Sequence, residues 1–323
     1  MMMLLHGIAV ASQVAIPIGL LIVLARAPYA SINQWGASTI IAFLYVWAVH
    51  VVGFWVVLPW YTAIVFAMGL AGIAAWQIPR IRRLPWRAPR MKWGSLLWRG
   101  ILAIVAVGGL VTAILGRQPP AEHVIDLQFP LRGGVYYVVA GGGVELLNPH
   151  LMTLTEDRFR AYRGQSYGID LLKLGAYGTR ASGLLPADPA RYAIYGDPVH
   201  APCAGRVVQV QDGAPEMSPP QPDRTRMAGN HVLLDCNGVH VLLAHLQPGT
   251  VRARRGEWID AGAVIGLVGN SGNSNEPHLH IHAQRPAPAG HEPLSGDPLP
   301  MRFDGRYLVR NDRVTRVTTV AER

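Results

Sequence analysis

The sequence predicts a protein in two parts, an N-terminal α-helical membrane region of about four transmembrane helices followed by an all-β domain built on an antiparallel sheet. Three observations predict it. Residues 1–120 carry nine Lys and Arg and no Asp or Glu, whereas residues 121–323 carry twenty of each sign. The first stretch consists of long apolar runs. The second consists of short apolar segments punctuated by turn residues. The formal net charge of +9 therefore lies wholly in the apolar half. There it reports membrane topology rather than a phosphate-binding face, and nucleic acid is not expected as a partner.

The membrane elements follow in order. Ile8 to Leu24 is one apolar run, and Ala37 to Trp76 is about twice the ~20 residues a helix needs to cross the hydrocarbon. Ile101 to Leu115 is short but uncharged. The long run has to fold back, and Gly53 to Trp60 is the place. Pro59 interrupts helical hydrogen bonding there, and Trp55, Trp60 and Tyr61 suit an interfacial belt. Residues 77–99 follow, with Arg80, Arg82, Arg83, Arg87, Arg90, Lys92 and Arg99. The positive-inside rule makes this loop cytoplasmic, and Arg26 in the first connection falls on the same side. The last span then carries the chain outward, which divides it into a membrane region, 1–117, and an extracytoplasmic domain, 118–323. The location expected is a bacterial cytoplasmic membrane, crossed several times. His50 is the one titratable group in the spans outside the basic loop, which argues against an ion-translocating path.

In the second half "VYYVVA", "RVVQV", "HVLLDC", "HVLLAHL" and "AVIGLVG" read as strands, separated by Gly, Pro and Asn-rich turns. Residues 211–228 read as a surface loop, and "GRYLVRN" and "VTRVTTV" as a final strand pair. Cys203 and Cys236 both lie beside strands, and an oxidising compartment favours their pairing.

The chemistry concentrates in "GNSGNSNEPHLHIHAQ". Side chains alternate along a strand, so His278, His280 and His282 present a surface of adjacent imidazoles, while Leu279 and Ile281 point into the core. A hydrolytic zinc site needs about three protein ligands, an open position for water and a proton-handling group. His245 in "HVLLAHLQPG" and Asp170 in "QSYGIDLLKL" are the upstream companions.

Taken in order, "YGIDLL", "DPVHAPCAGRVVQV", "GNHVLLD", "LLAHLQPG" and "GEWIDAGAVIGLVGNSGNSNEPHLHIH" resemble the M23, lysostaphin-like (LytM) zinc peptidase family, over about residues 165–284. The resemblance implies a lysostaphin-like sheet of the duplicated hybrid motif type, with a groove for peptidoglycan peptide. It implies Asp170 and His280 as zinc ligands, and His245 and His278 as the histidines that orient water and stabilise the oxyanion. One position departs. The family pattern has a histidine four residues before the aspartate, where this chain has Ser166.

Three accounts of that vacancy are open. Another imidazole takes it, with His150 in "ELLNPHLMT" the preferred ligand and His231 and His282 in reserve; the arrangement resembles a family branch with an upstream Asn-x-His element. Alternatively, the domain has lost the metal and binds wall peptide or regulates another cell-wall hydrolase, a divisome-type partner among the options. In the third, zinc is held weakly by two protein ligands and water. The expected activity is a membrane-anchored zinc metalloendopeptidase that hydrolyses peptide amide bonds in peptidoglycan.

Overall fold

The computed structural model describes residues 11–87, 93–120, 123–288 and 294–316. The start of the first apolar run, Arg90 and Lys92 of the basic loop and the end of the last segment lie outside them. The chain divides into two compact units, Met1–Trp55 with Pro59–Ile114, and Val56–Leu58 with Leu115–Arg323.

The first unit is helical. Helices α2 (Ile32–Val52) and α3 (Thr62–Ile81), and residues Leu96–Gly116 of α4 (Trp93–Gly116), are long and apolar enough to cross a membrane. A shorter apolar helix, Ala11–Arg26, contains α1 (Ile16–Arg26). The break between α2 and α3 falls at the expected hairpin around Gly53 to Trp60. The Ser31 hydroxyl accepts the Gln34 N–H at 3.2 Å and caps α2. Gln77 of α3 is buried, donates to the Leu24 carbonyl at 2.6 Å and accepts from Trp35 Nε1 at 2.8 Å. The carbonyls at the end of α1 have no partner within the helix, so one amide side chain satisfies one of them and ties three helices together.

The second unit is built on a sheet of nine strands in the order β13–β2–β3–β10–β7–β6–β5–β8, with β11 also on β10. These are β2 (Gly134–Ala140), β3 (Ile169–Leu174), β5 (Gly205–Gln211), β6 (Asn230–Asp235), β7 (His240–Leu246), β8 (Trp258–Ile259), β10 (Leu279–Gln284), β11 (Pro298–Leu299) and β13 (Arg313–Arg316). All these pairings are antiparallel. Two-stranded pairs, β1 (Ile125–Leu127) with β12 (Met301–Phe303) and β4 (Pro198–His200) with β9 (Val264–Leu267), complete the unit. The five expected strand segments are β2, β5, β6, β7 and β9.

The tail differs from expectation. Residues 305–311 form no strand, and Arg313–Arg316 pairs instead with Gly134–Tyr137 of β2. Arg310 accounts for this: its side chain is buried and donates to the carbonyls of Val139 and Leu146, so the segment is anchored as a loop. The open edge of β2 is then paired by the strand that follows.

One face of the sheet forms the main core, with Ile169, Leu171, Val232, Leu234, Val241, Leu243, Leu279 and Ile281 all buried. Burying each such side chain contributes about 1.5 to 3 kcal/mol. Cys203 and Cys236, 33 residues apart, form a disulfide beside β5 and β6. A loop of that length lowers the entropy of the unfolded chain enough to contribute about 3 to 4 kcal/mol. A Cys203→Ala/Cys236→Ala chain is therefore expected to unfold at lower urea by that amount; an unchanged midpoint would show that the crosslink contributes no net stability.

Candidate metal centre

Strand pairing delivers the first two residues of the site. Asp170 of β3 lies directly opposite His280 of β10, so both side chains rise from one face of the sheet. His280 Nδ1 stands 2.8 Å from Asp170 Oδ1. This face is the reverse of the main core, as the alternation of His280 and His282 with Leu279 and Ile281 requires. It is not an open surface, however. Every residue of β10 is buried, His280 at 3% and His282 at 0% exposure, and His278 is partly covered. Helical turns over Pro149–Gln165, which sequence periodicity did not signal, pack against β10 and close this side.

Those turns also bring in the third residue. His150 Nε2 lies 3.0 Å from Asp170 Oδ2, on the carboxylate oxygen that His280 leaves free. His150 is held by Asn148, which is fully buried. The Asn148 side-chain oxygen accepts the His150 backbone N–H, and its amide donates to the carbonyls of Gly142, Ser166 and Gly168. One side chain thus caps the turn that carries His150 and fastens it to the lead-in of β3. Asn148 is the first residue of the upstream Asn-x-His element noted in the sequence, and Asn followed by Pro is also a helix-start signal.

Ser166 is buried, and its hydroxyl is engaged by Thr153 Oγ1 at 2.7 Å and the Arg163 carbonyl at 2.5 Å. Thr153 in turn donates to the His150 carbonyl. The serine therefore braces the turn that presents His150. Among the described residues, His150, Asp170 and His280 form the one group of three metal-ligating side chains, with donor atoms within 4.8 Å of one another. The reserve candidates His231 and His282 are not in it; His231 Nδ1 donates to the Gly229 carbonyl.

His245 reaches the site through a bulge. Strand alternation along β7 sends Val241 and Leu243 to the main core, which would send His245 there as well. Instead the β6–β7 register shifts between Asn230 and His231, and Leu246 takes the core position. His245 adopts a φ of 63° in the left-handed region, and its N–H donates to the Ala228 carbonyl. Its ring then lies 4.7 Å from that of His278 and 6.0 Å from that of His280, centroid to centroid. A bulge that re-aims one side chain, with strained backbone at the same residue, is a common device next to reactive groups.

Both flanking histidines are oriented through Nδ1. His245 Nδ1 donates to the Ser271 carbonyl at 2.8 Å and His278 Nδ1 to the Glu276 carbonyl at 2.8 Å. That leaves Nε2 of each ring outside these hydrogen bonds. His278 Nε2 lies 3.7 Å from Asp170 Oδ1. The loop supplying these carbonyls is held by Ser274, which donates to Asn270 Oδ1, and by the Arg180–Glu276 ion pair at 2.8 Å.

Electrostatics favours a cation here. Burial by itself would raise Asp170, but the charges of His150 and His278 and hydrogen bonds from His150 and His280 overcome it, holding the carboxyl well below its ordinary value. Burial, then the neighbouring His278 and His280, push His245 well down. Burial also lowers His280, against the opposing pull of Asp170. The site therefore holds an ionised carboxylate beside His280 and His245, which burial disposes to be neutral; an ionised carboxylate and a neutral imidazole are the forms in which these groups ligate metals. Two imidazoles and a carboxylate with a further position open fit the donor set of a hydrolytic zinc site.

Gly168 permits the His280 ring to sit where it does. A Cβ at this position would meet His280 Cε1 at 2.7 Å and the Gln165 carbonyl at 2.8 Å. Gly168→Ala is expected to displace the ring and weaken zinc binding by about tenfold or more, the scale of losses for disturbed ligand support. Titration with a competing chelator checks it.

Residues 191–292 match the family model described as Peptidase family M23. That span contains His245, His278 and His280, while His150 and Asp170 precede it. No curated protein matches the chain. Among solved structures, a mutant catalytic domain of the prophage-encoded M23 protein EnpA from Enterococcus faecalis is 24% identical, over 38% of this chain and 71% of its own, with a TM-score of 0.26. Lysostaphin from Staphylococcus simulans is 21% identical, over 38% of each chain, with a TM-score of 0.25. A structure described as peptidase M23 from Pseudomonas aeruginosa is 17% identical, over 62% of this chain and 59% of its own, with a TM-score of 0.27.

Proposed function

We propose that this chain, whose residues 191–292 match the model of peptidase family M23, is a membrane-anchored zinc metalloendopeptidase hydrolysing peptide amide bonds of peptidoglycan. The observation that carries this reading is the convergence of His150 and His280 on the two oxygens of Asp170, with His245 and His278 alongside. His150 takes the ligand position that Ser166 cannot fill. The long apolar helices support the anchor, and the basic segment between α3 and α4 supports an extracytoplasmic side for the domain by the positive-inside rule.

His150, Asp170 and His280 would hold the zinc. When bound, the metal supplies Lewis acidity that activates water and polarises the scissile carbonyl. The remaining steps belong to the chain. With Nδ1 tied to a carbonyl, His245 offers Nε2 to accept a proton from the attacking water, and its burial keeps it in the neutral form that this requires. His278, beside the Asp170 carboxylate, would in its doubly protonated form donate an Nε2–H to the tetrahedral oxyanion, and the proton that His245 accepted passes to the leaving amine. Rigid Nδ1 hydrogen bonds keep both rings in place during the reaction, which is the geometric part of catalysis.

The test uses the full-length chain in detergent, with zinc measured per chain and isolated peptidoglycan as substrate. One zinc per chain and the release of new amino groups are expected. A chain that takes up no zinc, or that takes it up and releases no amines, would overturn the assignment.

A further inference from the structure

We infer that His282 is a positioning residue for the metal centre, holding His280 through a ring-to-ring hydrogen bond in the tautomer that ligation needs. The inference rests on the zinc reading above. His280 Nδ1 faces Asp170 Oδ1 at 2.8 Å, and His280 Nε2 faces His282 Nδ1 at 2.9 Å. Both rings are buried, their centroids are 5.2 Å apart and their planes are inclined by 65°. For Nδ1 to present a lone pair to a cation, the ring proton of His280 has to sit on Nε2. A buried N–H with no acceptor is costly, because it has given up water and gained no partner. His282 Nδ1 is placed to accept it, with its own proton on Nε2, a buried atom whose side-chain neighbour able to accept a hydrogen bond is Gln284.

Strand geometry fixes this contact. Successive residues of one face of β10 pair with Ala244 and Leu242 of β7, so His280 and His282 cannot shift relative to one another without breaking the ladder. Gly168 presents no side chain to the His280 ring, so the ring is set by Asp170 on one nitrogen and His282 on the other. A neutral acceptor has a further consequence. It orients the ligand without adding a second negative charge next to Asp170, which a carboxylate at this position would do. The arrangement is a histidine–histidine counterpart of the carboxylate–histidine pairs that support metal ligands elsewhere.

The experiment compares the full-length native chain with His282→Leu and His282→Gln in detergent, reading zinc affinity by competition with a chromophoric chelator and the melting of the metal-free chains. Loss of the acceptor in His282→Leu is expected to weaken zinc binding 10- to 100-fold. His282→Gln, whose amide oxygen can accept the same proton, is expected to stay within about threefold of native. If His282→Leu fails to fold, His282→Phe, an apolar ring of closer volume, takes its place. Native affinity in the folded apolar variant, or equal losses in the apolar and Gln variants, would overturn the inference and leave the peptidase assignment standing. A native chain that binds no zinc would overturn both.

Discussion

His245→Ala and His278→Ala chains are expected to retain zinc and to lose amide hydrolysis by about 10²- to 10⁴-fold, the range for removal of a proton-transferring group. The expectation follows from geometry. Neither ring belongs to the three-residue ligand group, yet both turn Nε2 into the space beside it. His150→Ala is expected to behave differently and lose zinc, because one of the two imidazoles facing Asp170 is gone. Ser166→Ala is expected to keep zinc within a few-fold while destabilising the domain by about 1 kcal/mol through the lost buried hydrogen bond. Turnover unchanged in both flanking variants would remove them from the catalytic role. Zinc retained without His150 would return the vacancy to His231 or His282.

Mild acid is expected to destabilise the metal-free domain. His245, His280 and His282 are each pushed below the ordinary histidine value, first by burial. In the unfolded chain they titrate near 6.5. Below that pH the unfolded state takes up protons that the folded state refuses, so stability is fully present above about 6.5 and falls as pH drops toward the folded values. Each residue contributes a slope of up to about 1.4 kcal/mol per pH unit, and the three together up to about 4. Asp170, held low in the folded state, extends the loss in the same direction once the pH falls below about 3.9. Urea midpoints of the chelator-treated chain between pH 7 and 5.5 check this, and a flat response would mean that these rings are protonated in the fold. His282→Leu should reduce the slope by about a third.

The sequence by itself determined the strands and part of the site. Alternation in "HLHIH" placed His280 and His282 on one face and Leu279 and Ile281 on the other, because the strand period of two leaves no choice once the core side is apolar. The apolar runs likewise determined a region of long apolar helices. Three features required tertiary structure. His245 would face the core by alternation, and only the bulge opposite Asn230 and His231 turns it to the site. Such a bulge is a long-range pairing event with no local signature beyond a strained residue. His150 sits on an irregular turn whose position depends on Asn148 reaching carbonyls 6, 18 and 20 residues away. The cover over β10 is built from short helical turns too brief to carry a periodicity. Local pattern thus decided which way side chains point along each strand. Only the hydrogen bonds between distant segments decided which of those side chains meet.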